Sequence, residues 1–266
     1  MTIGASTSNL YPMNTEDALN VLLKAGFKTI EVFINTVSET TAKFARQLRR
    51  SADEYGACIK SLHSYNSISD AYILFSDYAR RLQDGMAHLE RVFESANIMG
   101  ASFVVIHGDR PGGPLSNKES ILRYEKLFDL GQKSGITLLQ ENVVNYRSAD
   151  LSYLRDMRNI LGEKAQFVFD IKQSRRCGLS AFEVISAMAG GIRHVHISDS
   201  NKSSDCIVPG RGELDYKLIF NKLMETGFDG DVIIELYRNN YNDISDLVKG
   251  CIFLQNLDYK KFNKKT

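Results

Sequence analysis

Four apolar segments of the sequence end on side chains that can bind a metal ion. Residues 138–141, 167–170 and 232–235 each finish on a carboxylate, and residues 193–197 carry a histidine next to their end. Three carboxylates and one imidazole suit a hard or borderline divalent ion; Mn²⁺ is our first expectation, with Mg²⁺, Co²⁺ or Zn²⁺ as alternatives. The predicted ligands of one such ion are Glu141, Asp170, His196 and Glu235.

These side chains can meet only if the segments before them are strands that end at a common edge. Strand-like and helix-like segments alternate eight times along the chain, with no linker between them. Such alternation predicts a parallel sheet with helices outside, and eight units predict an α/β fold of the closed (β/α)8 TIM-barrel type. We expect a single domain over residues 1–266. The alternative is an open doubly wound sheet, which the lack of a G-x-G-x-x-G motif after the first segment disfavours.

The apolar periodicity also predicts the outer helices and the end of the chain. A polar helix is expected over about 38–55, and the longest helix over about 71–98, where apolar residues recur every three or four positions. The lysine-rich segment at about 259–266 is expected to be a short flexible tail.

Ionisable residues stand at the ends of three further predicted strands, namely Glu31, His63 and His107. In an eight-stranded barrel the working residues lie at the carboxyl ends of the strands. One such residue alone would be explained as a helix cap or a buried histidine, but seven at matching positions favour a site. The histidine ligand also needs a hydrogen-bond acceptor on its second nitrogen, and Asp199 is a candidate for that role.

Composition excludes several classes of protein. The chain has 266 residues, 43% of them hydrophobic and 24% charged, which is typical of a globular protein. Its net charge of +1 disfavours a nucleic-acid partner. Four cysteines lack any C-x-x-C spacing, and neither a signal peptide nor a membrane-spanning run is apparent, so we expect a cytoplasmic protein without a membrane partner.

The strand-end segments and the loops after them together resemble the xylose isomerase-like TIM-barrel superfamily. This superfamily includes isomerases and epimerases of sugars and sugar phosphates, and also the DNA-repair endonucleases that act at abasic sites. The resemblance covers nearly the whole chain. The matching segments are residues 61–63, 105–108, 140–142, 169–170, 196–199, 209–213 and 234–235.

The resemblance implies roles for particular residues. In the sugar-converting branch, the residues matching the four predicted ligands hold one metal ion, and those matching Glu141 and Glu235 also act as acid and base on opposite sides of the substrate. Residues such as His63 and His107 contact the sugar there, or hold further metal ions in the repair branch. Barrels of this type often form homo-oligomers, although the sequence points to no interface.

Two departures from the family pattern affect this interpretation. The family often has Asp-x-x-His at the sixth strand, whereas this chain has Gln173 in place of the histidine, which can form hydrogen bonds but cannot take up a proton. The repair branch carries a further histidine after the seventh strand, and residues 203–213 contain none. A three-metal phosphodiesterase site would therefore lack ligands.

The resulting prediction is a metal-dependent isomerase or epimerase of a ketose, a sugar phosphate or a related polyol ketone. Proton transfer next to a carbonyl, through an enediolate, would use the metal as a Lewis acid; a hydride shift would use the same ligands. The alternatives are a phosphodiesterase resembling the abasic-site endonucleases, a keto-polyol dehydratase, and a barrel that binds a polyol without catalysis. The predicted substrate contacts are His63, His107, Lys172, Gln173, Lys202 and Arg211.

Overall fold

The computed structural model describes residues 1–64 and 67–257, and within them eight parallel strands form a closed barrel in chain order. The strands are β1 (Thr2–Ser6), β2 (Thr29–Phe33), β3 (Cys58–His63), β4 (Phe103–Ile106), β5 (Thr137–Glu141), β6 (Phe167–Asp170), β7 (Ile192–Ile197) and β8 (Asp231–Ile234). β8 pairs with β1 and closes the ring. The predicted single-domain TIM barrel is confirmed.

Helices connect the strands and cover the outside of the barrel. They are α1 (Thr15–Lys24), α2 (Ala42–Glu54), α3 (Ser67–Leu74), α4 (Ala79–Met99), α5 (Asn117–Lys133), α6 (Leu151–Leu161), α7 (Ile171–Arg176), α8 (Ala181–Ala187), α9 (Tyr216–Glu225) and α10 (Ile244–Gln255). Most of the buried apolar side chains form one core that includes residues of both the strands and these helices. None of the helices in the described part of the chain is long and apolar enough to cross a lipid bilayer.

The helix predicted over 71–98 is wrong as a single element, because the chain breaks between α3 and α4. Phe75 is buried in the core at the break, and the hydroxyl of Ser76 accepts the backbone N–H of Tyr78. The guanidinium of Arg123 donates to the carbonyls of Leu74 and Ser76, at 2.8 and 2.9 Å. These contacts satisfy backbone groups that a continuous helix would have paired, so an apolar period alone could not reveal the break.

Two other helical segments differ from the prediction. The segment expected over 38–55 begins as a 3₁₀ turn, Val37–Thr40, and continues as α2. α7 was not predicted; it starts directly after Asp170, whose Oδ1 accepts the backbone N–H of Gln173 at 2.9 Å. The tail predicted at 259–266 lies outside the described residues.

A small apolar group supports the site from inside the barrel. Val105, Leu139 and Val168 are fully buried and form a cluster separate from the main core. Glu141 and Asp170 each lie two positions after a member of this group. Because side chains alternate along a strand, they share its inward face. The barrel interior therefore has an apolar layer below and an ionisable layer above, at the carboxyl ends of the strands.

Candidate metal centre and active site

The four predicted metal ligands come together at the carboxyl end of the barrel. Glu141 ends β5, Asp170 ends β6, His196 lies near the end of β7, and Glu235 follows β8 directly. One ligand atom from each of the four residues lies within 4.8 Å of the others. The parallel register explains this meeting, since Asp170 is the partner of His196 across the β6–β7 pair.

The imidazole of His196 lies at the centre of this cluster. Its Nδ1 is 2.9 Å from Glu141 Oε1, 3.6 Å from Glu235 Oε2 and 3.9 Å from Asp170 Oδ2. Its Nε2 points away from the cluster, 3.1 Å from Glu31 Oε2. Burial alone would lower the pKa of His196, but the charges of the nearby glutamates outweigh burial and raise it well above its usual value.

The two oxygens of Asp170 have different roles. Oδ1 caps α7, as described above, whereas Oδ2 is buried in the cluster without a hydrogen bond. Burial raises the pKa of this carboxyl to about 7, although the ammonium of Lys172 opposes the shift. The side chain of Asn142 fixes the backbone of Asp170, accepting its N–H at 2.8 Å and donating to its carbonyl at 2.9 Å. Asp170 is therefore held rigidly with one oxygen directed at the cluster.

The donor set fits a divalent cation. Three carboxylates and one imidazole nitrogen are the ligands that Mn²⁺, Mg²⁺ or Zn²⁺ accepts. The buried Oδ2 of Asp170 lacks a hydrogen bond, which is costly for a carboxylate unless a cation satisfies it. Glu141, Asp170, His196 and Glu235 are thus the residues that would hold such an ion.

A second group overlaps the first at Glu141. Its Oε2 lies 3.3 Å from His63 Nε2 and 3.0 Å from His107 Nε2. The Nδ1 of His63 donates to the carbonyl of Ser64 at 2.9 Å. Burial alone would lower the pKa of His63, but the hydrogen bond and charge of Glu141 raise it to about 9, whereas burial prevails at His107 and lowers its pKa. These two histidines thus form one wall of the site.

Lys172 brings a buried ammonium group to the cluster. Its Nζ lies 2.9 Å from Glu235 Oε2 and 3.5 Å from Asp170 Oδ2. It also lies 5.1 Å from the centre of the Tyr237 ring. Although burial would lower the pKa of Lys172, the charges of the two carboxylates raise it well above its usual value. The ammonium is therefore charged and faces two of the predicted ligands.

A cavity of about 480 Å³ opens above these residues. Its wall includes four of the predicted substrate contacts, His63, His107, Lys172 and Gln173. The other lining residues are Ser8, Tyr11, Phe33, Asn35, Glu141, Glu235, Leu236 and Tyr237. Eight of these twelve residues have polar or charged side chains, and the other four are aromatic or apolar. Convergent polar groups beside apolar walls are typical of sites for small molecules.

The other two predicted substrate contacts are not part of the cavity wall. Lys202 is exposed, and Arg211 forms an ion pair with Asp246. The loop that carries Arg211 is built around Asp199, whose Oδ2 accepts the N–H of Gly210 at 2.9 Å and of Gly212 at 3.0 Å. A Cβ at Gly212 would clash with Asp199 Oδ1. The glycines thus permit a close backbone approach to Asp199.

Sequence reasoning named Glu31 among the strand-end residues but did not assign its role beneath the cluster, nor that of His194. Glu31, rather than Asp199, is the acceptor for His196, and His194 shares the same carboxylate oxygen. The role of His194 could have been found from the two-residue period of β7, which places both histidines on one face of the strand. The aromatic walls Tyr11, Phe33 and Tyr237 were not expected at all.

The chain belongs to the xylose isomerase-like TIM-barrel family, whose model matches residues 19–257. An uncharacterized protein of Mycobacterium leprae is 20% identical over 268 residues, which cover 92% of this chain and 91% of the relative.

Two solved structures share the fold over nearly the whole chain. A D-tagatose 3-epimerase-like protein superposes with a TM-score of 0.79 at 20% identity, covering 96% of both chains. A D-psicose 3-epimerase studied in the presence of D-fructose superposes with a TM-score of 0.75 at 18% identity, again covering 96% of both chains.

Proposed function

We propose that this protein is a metal-dependent isomerase or epimerase of a ketose, a sugar phosphate or a related polyol ketone. The observation that carries the proposal is the position of Glu141 and Glu235. Both belong to the group of four potential ligands, and both line the same cavity. Simple binding of a polyol would not need two carboxylates in this arrangement, whereas proton transfer to and from carbon needs an acid and a base on either side of the substrate.

The metal ligands, the two glutamates and Lys172 have different roles in this proposal. A divalent ion held by the four ligands would act as a Lewis acid toward the substrate oxygens. One of Glu141 and Glu235 removes the proton from the carbon next to the carbonyl, and the other returns a proton. Lys172 offers a positive charge where negative charge develops on the substrate, an arrangement that stabilises the transition state. A hydride shift remains the alternative within the same site.

The other residues of the cavity wall would bind the substrate. His63, His107 and Gln173 offer polar atoms to the hydroxyl groups of a sugar, and the rings of Phe33 and Tyr237 offer apolar walls. A phosphate group would need a further cation. Arg211 could serve only after leaving its ion pair with Asp246, so an unphosphorylated ketose is the form that the cavity favours.

The solved structures support the same class of substrate. Their names describe a D-tagatose 3-epimerase-like protein and a D-psicose 3-epimerase, and each superposition covers 96% of this chain. We expect one ion per chain, with Mn²⁺ as the first candidate because oxygen ligands predominate in the donor set.

The proposal can be tested with a panel of ketoses, ketose phosphates and keto-polyols followed by ¹³C NMR. We expect an isomer of at least one ketose to form after reconstitution with Mn²⁺, and its formation to stop after chelation. Glu235→Gln should reduce turnover by about 10²–10⁴-fold, the usual contribution of general acid–base catalysis. Glu125→Gln, on the outer face of α5, is the matched control and should leave turnover unchanged. Conversion that survives both chelation and Glu235→Gln would refute the proposal.

A second candidate is a phosphodiesterase, because His63, His107 and Glu141 form another group that could hold an ion. Elemental analysis of the purified protein separates the two candidates. One ion per chain supports the isomerase or epimerase, whereas two or three zinc ions would favour hydrolysis of phosphodiesters. A dehydratase would appear in the NMR panel as loss of water from a keto-polyol.

We also place the protein in the cytoplasm, on the basis of its cysteines. All four are unpaired: Cys58 is exposed, Cys177 partly buried, and Cys206 and Cys251 are buried. Unpaired thiols are typical of a reducing compartment. Fractionation of cells that produce the protein would test this, and recovery in an extracellular fraction would contradict it.

A further inference from the structure

A group of polar side chains lies beneath the ligand cluster, inside the barrel. Glu31 of β2, Ser61 of β3 and His194 of β7 are fully buried. They meet at one atom, because Glu31 Oε2 lies 2.8 Å from Ser61 Oγ and 3.2 Å from His194 Nε2. The same oxygen lies 3.1 Å from the Nε2 of His196. A carboxylate oxygen accepts hydrogen bonds, so each of these partners donates to it.

The contact with Glu31 determines which nitrogen of His196 faces the cluster as an acceptor. Without a metal ion both ring nitrogens face carboxylate oxygens, Nε2 toward Glu31 and Nδ1 toward Glu141, and each donates to its partner. When a cation takes the place of the Nδ1 proton, the other proton stays on Nε2 with Glu31, and the lone pair of the neutral ring is then on Nδ1. Nδ1 is the atom that lies among Glu141, Glu235 and Asp170. A ring rotated by half a turn would break the bond to Glu31.

We propose that Glu31 is a positioning residue for the metal centre: its carboxylate holds the Nε2–H of His196 and directs the Nδ1 lone pair at the divalent ion. This inference rests on the metal site proposed above. A carboxylate behind a ligating histidine fixes the orientation and tautomer of the ring and strengthens it as a ligand. Glu31 has the right place for this role because it lies across the barrel from β7 and out of the cavity wall.

Ser61 and His194 hold the carboxylate of Glu31 in turn. The donors converge on Oε2, whereas Oε1 is buried without a hydrogen bond. The position of Oε2 is thus determined from three directions, which leaves the ring of His196 little freedom to tilt. The arrangement explains why a charged side chain stays fully buried this deep in the barrel.

The test compares the wild type with Glu31→Gln, which keeps the shape of the side chain and removes its charge. The affinity for Mn²⁺, measured from the EPR signal of the free ion, should fall by about 10–100-fold, the usual effect of losing such a partner. Glu39→Gln is the matched control, because Glu39 is a buried carboxylate that accepts from Thr15 Oγ1 and from the backbone of Asn35 instead. Its Mn²⁺ affinity should stay within twofold of the wild type, and the same result for Glu31→Gln would overturn the proposal.

A second measurement does not depend on any variant. The chain has five histidines, so the ring nitrogens can be assigned by ¹⁵N NMR on the Zn²⁺-loaded protein. We expect a protonated Nε2 and a metal-bound Nδ1 for His196. Metal bound through Nε2 would refute the role of Glu31. Neither measurement involves a sugar. The role of Glu31 can therefore fail or hold independently of the proposed isomerase activity, and the two outcomes can be told apart.

Discussion

The ammonium of Lys172 lies 2.9 Å from the carboxylate of Glu235, within the same group of side chains that could hold a divalent ion. The two residues come from the segments that follow β6 and β8, and Lys172 also lies 3.5 Å from Asp170 Oδ2. A positive side chain thus shares two oxygens with the proposed cation. Its charge must weaken the binding of that cation.

Replacement of Lys172 by methionine should therefore increase the affinity for Mn²⁺. Two unit charges about 4 Å apart interact by roughly 4 kcal/mol at an effective dielectric constant of 20. Allowing for rearrangement, we expect an increase of about 10–100-fold in titration calorimetry, together with a loss of turnover. Lys172→Arg keeps the charge and is the control. Unchanged or weaker Mn²⁺ binding by Lys172→Met would show that the ammonium does not oppose the ion.

Binding of Mn²⁺ should become stronger as the pH rises. The charges of the glutamates around His196 outweigh its burial and raise its pKa well above the usual value, so a proton competes with the ion at Nδ1. Burial raises the pKa of Asp170 to about 7. Below that pH the ion must therefore displace a second proton, from the carboxyl of Asp170. We expect affinity to increase by up to about tenfold per pH unit above pH 7, and more steeply below it. An affinity that is constant between pH 6 and 8 would contradict this.

Asp70 of α3 should destabilise the protein at neutral pH. Burial raises its pKa from 3.8 to about 6, although a hydrogen bond from Ser64 and the charge of His63 oppose the shift. The folded state therefore binds the proton more tightly than the unfolded state. The contribution of the protonated Asp70 to the free energy of unfolding is fully present below pH 3.8, and it is lost as the pH rises through about 6.

The substitution Asp70→Asn removes this loss while keeping an oxygen that can accept from Ser64. We expect the free energy of unfolding at pH 8 to rise by about 2–3 kcal/mol, since one pKa unit corresponds to about 1.4 kcal/mol. Near pH 3.5 the variant and the wild type should unfold at similar urea concentrations. Asp77→Asn, at an exposed position beside the same helix, serves as the control. An equal effect of Asp70→Asn at both pH values would argue against a raised pKa.

The barrel, and the proximity of its four potential metal ligands, could be predicted because both depend on local patterns in the sequence. An apolar run followed by a polar residue marks the carboxyl end of a strand, and parallel strands bring such ends to one edge. Glu141 and Asp170 were placed near each other by this reasoning alone, and the structure brings a ligand atom of each to within 4.8 Å of the other.

Other features depend on how the barrel closes and could not be read from the sequence. The contact of Glu31 with His196 joins residues 165 positions apart, and it depends on the relative shift of strands on opposite sides of the ring. The pairing of Lys172 with Glu235 also required α7, a six-residue helix too short to show an apolar period. Arg211 was expected to contact the substrate, but it forms an ion pair with Asp246, a residue that lies 35 positions further along the chain.

The most direct test of the proposed chemistry is the exchange of deuterium from D₂O into ketoses, followed by NMR. With Mn²⁺ present, we predict deuterium at the carbon next to the carbonyl of at least one ketose. Exchange should stop when the ion is chelated and when either Glu141 or Glu235 is replaced by glutamine. If the protein binds one ion per chain and yet exchanges no proton in any ketose tested, proton transfer between these two carboxylates is not its chemistry.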